Sequence, residues 1–422
     1  MDLLEEIQQA HRELYSIILP TPLTKSLNLS NKYGSSILLK REDQQIARSF
    51  KIRGAYNKMI SLTNSEKERG IICASAGNHA QGVAYCCELL KIMGKIYMPK
   101  NTPAQKIKKV ELLGGSFIKT VLVGDFFDQT YSIAMGDASI NTRAFIHPFD
   151  DVKVIAGQGT VGIEILEEHQ KPIDYIFIPL EGGGLAAGIS TVFKQLSPLT
   201  KIIGVAIQDD SSCGISTLDK NSLDPIDQFI VDEPITKRNS LTAKICQKNL
   251  TAVLKIPEGK VCSAVLQLFK EEGINIEPTG VLSIAALDYY TQEIKGKKVV
   301  CIISNGLKNS QREPEILERS LLYEGLVHYL KVEFPQGPAS FKEFVNEVLG
   351  PEDQITYFQS VKKDNCKTKP FLMRLELKTP NTILAIKAKM LAREFLYQDL
   401  SQRHDLFTSN FCPGDTAYLW EQ

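Results

Sequence analysis

The sequence predicts an α/β fold with parallel sheets, followed by a smaller α+β module. From the N-terminus to about Leu322, short apolar segments alternate with helical patterns, which is typical of parallel strands joined by helices. The chain has 422 residues, enough for two domains with a core each. Because the pattern changes after Leu322, we expect one domain over residues 1–322 and a second over residues 323–422.

Each predicted element rests on its local pattern of apolar residues. The strands predicted for the first domain are residues 36–40, 70–74, 95–98, 116–123, 175–180, 202–206 and 298–303. In the second domain, the predicted strands are residues 325–334, 355–362 and 370–377, and the predicted helices are residues 341–349 and 382–391. Helices packed on one face of a small antiparallel sheet fit this second pattern.

The composition excludes several classes of protein. Lys plus Arg equals Asp plus Glu at 49 each, so no net field favours nucleic acid or an anionic membrane surface. No apolar run approaches membrane-spanning length, and the acidic start of the chain lacks the features of a signal peptide. The nine cysteines show no metal-type spacing, so we expect reduced core thiols, no metal site and a cytoplasmic location.

Lys51 stands among apolar and small residues, directly before an apolar pattern of helical spacing. A lysine held against apolar neighbours loses hydration of its ammonium group, so the neutral amine becomes accessible and can attack a carbonyl group. This setting allows Lys51 to form a Schiff base. A solvated lysine at the start of a helix is the competing interpretation, and residues farther along the chain decide between the two.

Residues 75–82 form a polar turn between an apolar strand and a helix, with the sequence Ser-Ala-Gly-Asn-His-Ala-Gln-Gly. Backbone N–H groups and the positive end of the helix dipole meet at such a turn, where a small anion binds well. Ser75 and Asn78 add side-chain donors. A plain polar helix cap is the alternative interpretation for this turn taken alone.

Lys51 and this turn together resemble the pyridoxal-phosphate enzymes of the tryptophan synthase β type, and more closely the threonine dehydratases. Further motifs follow in the order of that family: Leu39-Lys40-Arg41-Glu42-Asp43, Ser49-Phe50-Lys51-Ile52-Arg53-Gly54-Ala55, Phe149-Asp150-Asp151, Gly157-Gln158-Gly159-Thr160, Gly182-Gly183-Gly184-Leu185, Glu277-Pro278 with Gly280, and Ser304. The resemblance implies the tryptophan synthase β-like fold (fold type II), with two parallel-sheet subdomains in the first domain. The segments 334–336 and 349–351 resemble parts of the ACT-like regulatory domain that ends the biosynthetic threonine dehydratases.

The resemblance implies a lyase that uses pyridoxal 5'-phosphate to convert L-threonine into 2-oxobutanoate and ammonia, the first step of isoleucine biosynthesis. Lys51 would hold the cofactor and, once released as a free amine, remove the α-proton of the substrate. The other cofactor-binding residues implied are Phe50 beside the pyridine ring, Asn78 at the 3-oxygen, Gly182, Gly183, Gly184 and Leu185 around the phosphate, and Ser304 at the pyridine nitrogen. The residues implied to bind the substrate carboxylate are Ser75, Gly77, Asn78 and His79. Gln158 and Gly159 resemble a turn near the cofactor, although packing would explain them equally.

The same resemblance implies a homotetramer, and control by isoleucine or valine bound to the second domain. Serine dehydratase and serine racemase share these motifs and are the nearest alternatives, with L-serine as substrate. The second domain speaks against both, because those relatives usually lack it. A catalytically impaired paralogue that binds amino acids as a regulatory protein is the alternative from a different class.

The chain departs from the family pattern at several loops. Glu181 replaces the first of four glycines in the phosphate loop; a carboxylate roughly 5 Å from a phosphate would be repelled by about 3 kcal/mol per unit charge at an effective dielectric constant of about 20. We therefore expect Glu181 to turn outward. The other departures are Asn305 and Leu307 after Ser304, Ala206-Ile207 after Gly204-Val205, and Asp232-Glu233-Pro234-Ile235. Such changes permit either a retuned enzyme or a weakened one.

Overall fold

The computed structural model describes residues 2–208, 240–306, 313–334, 338–360 and 369–401. The substitutions at Asp232-Glu233-Pro234-Ile235 and at Leu307 lie outside these residues. The described part forms two compact units. The first contains residues 2–208, 240–257 and 267–306, and the second contains residues 258–266, 313–334, 338–360 and 369–401. The boundary predicted after Leu322 falls near the end of a helix of the second unit.

The described elements up to residue 303 are as follows. The helices are α1 Leu3–Leu14, α2 Leu27–Tyr33, α3 Lys51–Ile60, α4 Asn64–Arg69, α5 Asn78–Leu90, α6 Ala104–Gly114, α7 Phe127–Ile140, α8 Val152–Glu168, α9 Gly184–Leu196, α10 Leu241–Asn249, α11 Glu258–Glu272 and α12 Leu282–Ala285. The strands are β1 Leu23–Lys25, β2 Ser36–Arg41, β3 Ile71–Ala74, β4 Gly94–Met98, β5 Ile118–Leu122, β6 Ala144–Phe145, β7 Tyr175–Pro179, β8 Lys201–Ile207, β9 Ala252–Ile256 and β10 Lys298–Ile303.

Two sheets organise the first unit. The larger has the order β1-β2-β10-β7-β8-β9, and the smaller has the order β5-β4-β3-β6. Strand β1 pairs antiparallel with β2, and the other pairs in both sheets are parallel. This confirms the predicted α/β fold with two parallel-sheet subdomains. Three strands are not predicted by the pattern of apolar residues in the sequence. They are β1 and β6, which have three and two residues, and β9, a half-buried strand at the edge of the larger sheet.

The helices around the start of α3 approach one another backbone to backbone. A Cβ on Gly82 of α5 would lie 3.1 Å from Ile52 Cα, and a Cβ on Gly157 of α8 would lie 2.5 Å from Arg53 O. Atoms at such separations would clash, so larger residues at these two positions would push α5 and α8 away from α3. The glycines therefore hold the first turn of α3, and Lys51 with it, in a tightly packed setting.

A buried cluster of charged side chains lies beside the same turn. The side chains of Lys40, Glu42, Arg53 and Glu164 are each no more than 7% exposed. Arg53 donates to both oxygens of Glu42 at 2.8 Å and also pairs with Glu164, while Lys40 Nζ lies 2.6 Å from Glu164 Oε2. Burial alone would raise the pKa of Glu164, but the charges and hydrogen bonds of Arg53 and Lys40 outweigh it, and the pKa is lowered. Two positive and two negative groups thus neutralise one another inside the core.

Replacing Arg53 with methionine should destabilise the first unit by roughly 3 to 5 kcal/mol, because buried carboxylates lose their main partner. The pKa of Glu164 lies below its ordinary value of 4.5, so the ion-pair contribution is fully present above about pH 4.5 and declines as the pH falls further. The loss in the free energy of unfolding should therefore shrink in acid. Chemical denaturation of wild type and variant between pH 4 and pH 8 measures this difference in the free energy of unfolding.

The control is Lys91→Met, which removes an exposed ion pair with Glu88 of 2.8 Å. Exposed pairs contribute about 0 to 1 kcal/mol, so this variant should unfold almost as wild type does. Equal effects of the Lys91 and Arg53 substitutions would contradict the importance of the buried cluster.

The second unit carries a small antiparallel sheet with two helical segments in its connections. Its elements beyond residue 312 are α13 Glu313–Tyr323, β11 Val327–Phe334, α14 Pro338–Glu343 with a π-helical turn Phe344–Val348, β12 Gln354–Ser360, β13 Lys369–Glu376, α15 Thr382–Ala392 and β14 Tyr397–Asp399. The sheet order is β12-β13-β11-β14. Strands β11 to β14 with α14 and α15 follow the β-α-β-β-α-β order of ferredoxin-like folds. The predicted α+β module is confirmed, and the three-residue strand β14 is the addition.

An ion pair between Arg374 and Glu318 joins helix α13 to the sheet of the second unit. Arg374 of β13 donates to both oxygens of Glu318, at 2.8 and 2.7 Å, and Tyr329 Oη donates to Glu318 Oε1 at 2.8 Å. This bidentate geometry fixes orientation as well as distance. It explains why residues 313–322, predicted to belong to the first domain, group with the second unit.

The described cysteines behave as core residues. Cys73, Cys86, Cys87, Cys246, Cys262 and Cys301 are all buried, as predicted. Burial raises the pKa of Cys87 to about 12, so its unreactive thiol form dominates. None of the described helices is both long enough and apolar enough to cross a lipid bilayer.

Candidate active site

Lys51 begins helix α3 and faces a pocket formed by three separate segments of the chain. Its side chain is largely buried, and Nζ donates to Pro148 O at 3.1 Å. Nζ also lies 5.5 Å from the ring centre of Phe50. The pocket is lined by Phe50, Lys51, Pro148, Phe149, Pro179, Glu181, Gly182, Gly183, Gly184 and Leu185. The structure therefore brings Lys51 together with the glycine loop, as the sequence predicts.

The backbone before Lys51 is tied to the end of strand β10. Phe50 N donates to Ser304 O at 3.3 Å, and Ser49 forms an antiparallel bridge with Asn305. Arg48 adopts a positive φ of 53°, and its carbonyl accepts from Gly306 N at 2.9 Å. These bonds hold Phe50 and Lys51 beside Ser304, which the sequence separates from them by some 250 residues.

Ser304 is buried at the end of β10, where its hydroxyl lies 3.5 Å from Thr279 O. The neighbouring Asn305, one of the departures from the family pattern, donates from Nδ2 to Thr279 Oγ1 at 2.8 Å. Asn305 is buried, and it does not line the pocket around Lys51. Its Nδ2 atom is thus satisfied by residue 279, whereas its buried Oδ1 atom has no hydrogen-bond partner among the described residues.

The glycine loop joins the end of β7 to the start of α9. Gly183 has φ +79°, a conformation that favours glycine, and directly precedes α9. A Cβ on Gly182 would lie 2.3 Å from Cδ1 of Phe149, so the phenyl ring packs directly on the loop. The loop and the positive end of α9 could together bind an anion. Glu181 lines the same pocket and is half-buried, and the expectation that its side chain turns outward stays a prediction.

The turn at residues 75–82 lies next to Lys51, because Gly82 packs on the backbone of residues 51 and 52. Ser75 Oγ accepts from Gly77 N at 3.1 Å, while Ser75 N donates to Tyr97 O at 3.0 Å. The Ser75 N–H is therefore already bonded to the neighbouring strand. The hydroxyl group is the part of Ser75 that could donate to a carboxylate. His79 Nε2 lies 2.8 Å from Ile146 O inside the core, so His79 can contribute through its backbone rather than its ring.

Asn78 provides the clearest sign of a ligand at this turn. Its Oδ1 atom is buried and has no hydrogen-bond partner within the described part of the chain. A buried polar atom without a partner is costly, so such atoms usually meet a ligand or water. The placement fits the predicted role of Asn78 at a cofactor oxygen, with the amide oxygen and nitrogen interchangeable by rotation.

Gln158 and Gly159 lie in the middle of helix α8, so the prediction of a turn near the cofactor is wrong. Gln158 Oε1 accepts from Gly54 N at 3.2 Å, and Gly159 packs against Ile7 of α1. Their spacing serves contact between α8 and its neighbouring helices, which was the alternative interpretation. Conversely, Pro148 and Phe149 line the pocket, although the sequence analysis places Phe149 only in a motif and does not single out Pro148.

The chain matches two family models in succession. Residues 14–306 match the family described as pyridoxal-phosphate dependent enzyme, and residues 318–408 match the C-terminal regulatory domain of threonine dehydratase. The L-threonine dehydratase biosynthetic IlvA of Halalkalibacterium halodurans is 42% identical over 410 residues, which cover 96% of this chain and 98% of that protein. The chain belongs to the threonine dehydratase family. The enzyme of the same name from Staphylococcus aureus is also 42% identical, over 92% of this chain and 93% of its own length.

Solved structures of this family share the fold. Threonine deaminase isoform 2 of Solanum lycopersicum, in its processed form, superposes with a TM-score of 0.68 at 35% identity, over 75% of this chain and 92% of its own. A serine racemase from Dictyostelium discoideum superposes with a TM-score of 0.63 at 27% identity, over 72% of this chain and 98% of its own. The fold thus carries both threonine and serine chemistry among its relatives.

Pyridoxal phosphate is the cofactor of the family, and the residues of the pocket fit it. Lys51 supplies a buried amine, the loop before α9 supplies an anion site, and Asn78 supplies a buried amide whose oxygen has no partner in the described part. Among the described residues, no group of three or more His, Cys, Asp or Glu side chains is arranged to hold a metal ion.

Replacing Glu181 with glycine should tighten the binding of pyridoxal phosphate by about tenfold, because Glu181 is among the residues that line the pocket and its negative charge would repel the phosphate dianion. Glu181→Gln should give most of the same gain, since it removes the charge and keeps the side chain. Dissociation constants come from titrating the purified apoprotein and following the visible absorbance of the lysine-bound cofactor.

Pyridoxal, which lacks the phosphate, is the control ligand and should bind equally to all three proteins. A gain that appears with pyridoxal as well would assign the effect to the flexibility of the loop. Unchanged affinity for pyridoxal phosphate would show that the Glu181 charge does not reach the phosphate.

Proposed function

We propose that this protein dehydrates and deaminates L-threonine to 2-oxobutanoate and ammonia, as the first step of isoleucine biosynthesis, with Lys51 as the cofactor-bearing residue. The observation that carries the proposal is the burial of the Lys51 amine in a pocket that also contains the glycine loop. The identity of 42% to biosynthetic threonine dehydratases over nearly the whole chain supports the substrate and the reaction.

When bound, pyridoxal phosphate supplies an electron-withdrawing group next to the substrate Cα. Lys51 Nζ, as a neutral amine, takes the α-proton, and the surrounding Phe50, Pro148 and Phe149 exclude water from it. The β-hydroxyl then leaves as water. Hydrolysis of the resulting enamine gives 2-oxobutanoate and ammonia. Ser304, a neutral hydroxyl at the end of β10, would face the ring nitrogen and leave it without a charge partner.

The remaining residues would orient the two ligands. Gly182, Gly183, Gly184 and Leu185 would hold the cofactor phosphate at the start of α9, and Phe50 would pack beside the ring. The Ser75 hydroxyl and the backbone of Gly77, Asn78 and His79 would bind the substrate carboxylate at the positive end of α5. Asn78 would also hold the 3-oxygen of the cofactor.

We also propose that the second unit is an ACT-like regulatory module that binds isoleucine or valine, and that the enzyme works as a homotetramer in the cytoplasm. The ferredoxin-like sheet and the match to a threonine dehydratase regulatory domain support the module. The described cysteines are buried in the core, which agrees with a reducing compartment.

Lys51→Ala should abolish formation of 2-oxobutanoate from L-threonine and the visible absorbance of the bound cofactor, because both need the Nζ amine. The matched control is Lys58→Ala on the same helix, whose amine pairs with Asp151 at 2.6 Å instead of facing the pocket. The control should keep its absorbance and most of its turnover. A wild-type protein that binds the cofactor but makes no product would favour the impaired paralogue.

Turnover of L-threonine should exceed that of L-serine, and isoleucine should lower the activity of the full-length chain on L-threonine. Steady-state rates with each substrate, with and without isoleucine or valine, check both points. A preference for L-serine, or formation of D-serine, would favour the serine enzymes. No response to either amino acid would contradict the proposed effectors while leaving the reaction standing.

A further inference from the structure

His147 organises the turn that carries Pro148 and Phe149 into the pocket. Its Nδ1 atom accepts two backbone hydrogen bonds, from Phe149 N at 3.2 Å and from Asp150 N at 2.7 Å. The imidazole also meets the ring of Phe149 edge to face, with centroids 4.7 Å apart. One side chain thus fixes both the backbone and the aromatic ring that follow it.

These two bonds determine the protonation state of the imidazole. Both partners of Nδ1 are backbone N–H groups, which can only donate, so Nδ1 must carry a lone pair. The folded turn therefore requires a neutral His147 with its proton on Nε2. A proton on Nδ1 would remove both hydrogen bonds and place three N–H groups against one another.

The turn held by His147 reaches both halves of the pocket. Pro148 O accepts from Lys51 Nζ at 3.1 Å, and the Phe149 ring packs on Gly182 so closely that no Cβ would fit there. The Phe149 ring centre also lies 6.0 Å from Lys51 Nζ. A displacement of this turn would consequently move groups beside the lysine and beside the glycine loop together.

We propose that His147 is a positioning residue for the cofactor site, and that protonation of its Nδ1 atom releases the Pro148–Phe149 turn and weakens cofactor binding. The inference rests on the proposed role of Lys51 and adds a built-in acid sensitivity to it. Acidification is the change that would protonate this atom, because histidine is the side chain whose charge changes nearest to neutral pH.

Several other titratable groups lie near His147. Tyr131 of α7 meets its ring at a centroid distance of 6.1 Å, Asp150 follows it in the chain, His79 Nε2 lies against Ile146 O, and Lys51 lies across the turn. Asp150 Oδ1 accepts from Thr242 N at 2.9 Å, and its negative charge would favour the protonated imidazole.

Two substitutions separate the hydrogen bonds of His147 from its packing. His147→Asn places an amide oxygen close to the position of Nδ1, so it keeps an acceptor that does not titrate. His147→Phe keeps an aromatic ring against Phe149 and removes the acceptor. The dissociation constant of pyridoxal phosphate is measured for both variants and wild type from pH 5.5 to pH 8.5, by the visible absorbance of the bound cofactor.

At pH 8, His147→Asn should bind nearly as tightly as wild type, and His147→Phe about tenfold more weakly, since two hydrogen bonds are lost. On acidification, wild type should weaken more steeply than His147→Asn. The phosphate of the cofactor titrates near pH 6 as well, so the component shared by all the proteins belongs to the ligand, and the difference belongs to His147. Tyr131→Phe, which keeps the aromatic contact, should follow the wild-type profile.

Coincident pH profiles of wild type and His147→Asn would overturn the inference. So would a His147→Phe protein that binds as tightly as wild type at pH 8. If His147→Phe does not fold, the comparison of wild type with His147→Asn still decides. A wild type that binds no cofactor at any pH would instead contradict the proposed function, and the two failures are therefore distinguishable.

Discussion

The ion cluster around Arg53 fixes helix α3, and the rest of the site depends on the position of that helix. Lys51 is its first residue, and Arg53 follows two residues later. Arg53 is buried between Glu42, which directly follows β2, and Glu164 of α8. Burying four charged groups is expensive, and the cost is offset only when the geometry is close to ideal. A shifted or rotated α3 would leave carboxylates unpaired in the core. The cluster therefore favours one placement of Lys51 among those that apolar packing alone would tolerate.

Close helix packing adds a second constraint to the same turn. Glycines on α5 and α8 bring backbones to within van der Waals contact of α3, and the hydrogen bonds of Ser49 and Phe50 tie the preceding residues to β10. The backbone that carries Lys51 is thus held on two sides, and its amine stands at the end of the long side chain that leaves this backbone. That combination suits a residue that must hold a cofactor and then release it to act as a base, because proton transfer requires a short, well-aligned approach.

Local patterns predicted much of this arrangement. Lys51, the turn at residues 75–82 and the glycine loop could be found because each is a compact motif with a strand before it or a helix after it. Gln158 and Gly159 were misassigned, since glycine signals a turn and close helix contact equally well. His147 could not be found from the sequence. Its role arises from two N–H groups that converge on one ring nitrogen, and that convergence depends on the path of the backbone rather than on any residue type.

The structure also separates the departures from the family pattern that the sequence could only group together. Asn305 lies outside the pocket lining, with its Nδ2 atom bonded to Thr279 and its buried Oδ1 atom without a hydrogen-bond partner among the described residues. Glu181 is different, because it stands two residues after the end of β7, lines the pocket and borders the loop that we propose to hold the phosphate. A neutral residue held by a neighbour changes little in the field of the pocket, whereas a carboxylate at its rim acts on any dianion that enters. Of these two substitutions, the one at residue 181 is therefore the one through which evolution could retune cofactor affinity while leaving Lys51 and its frame untouched.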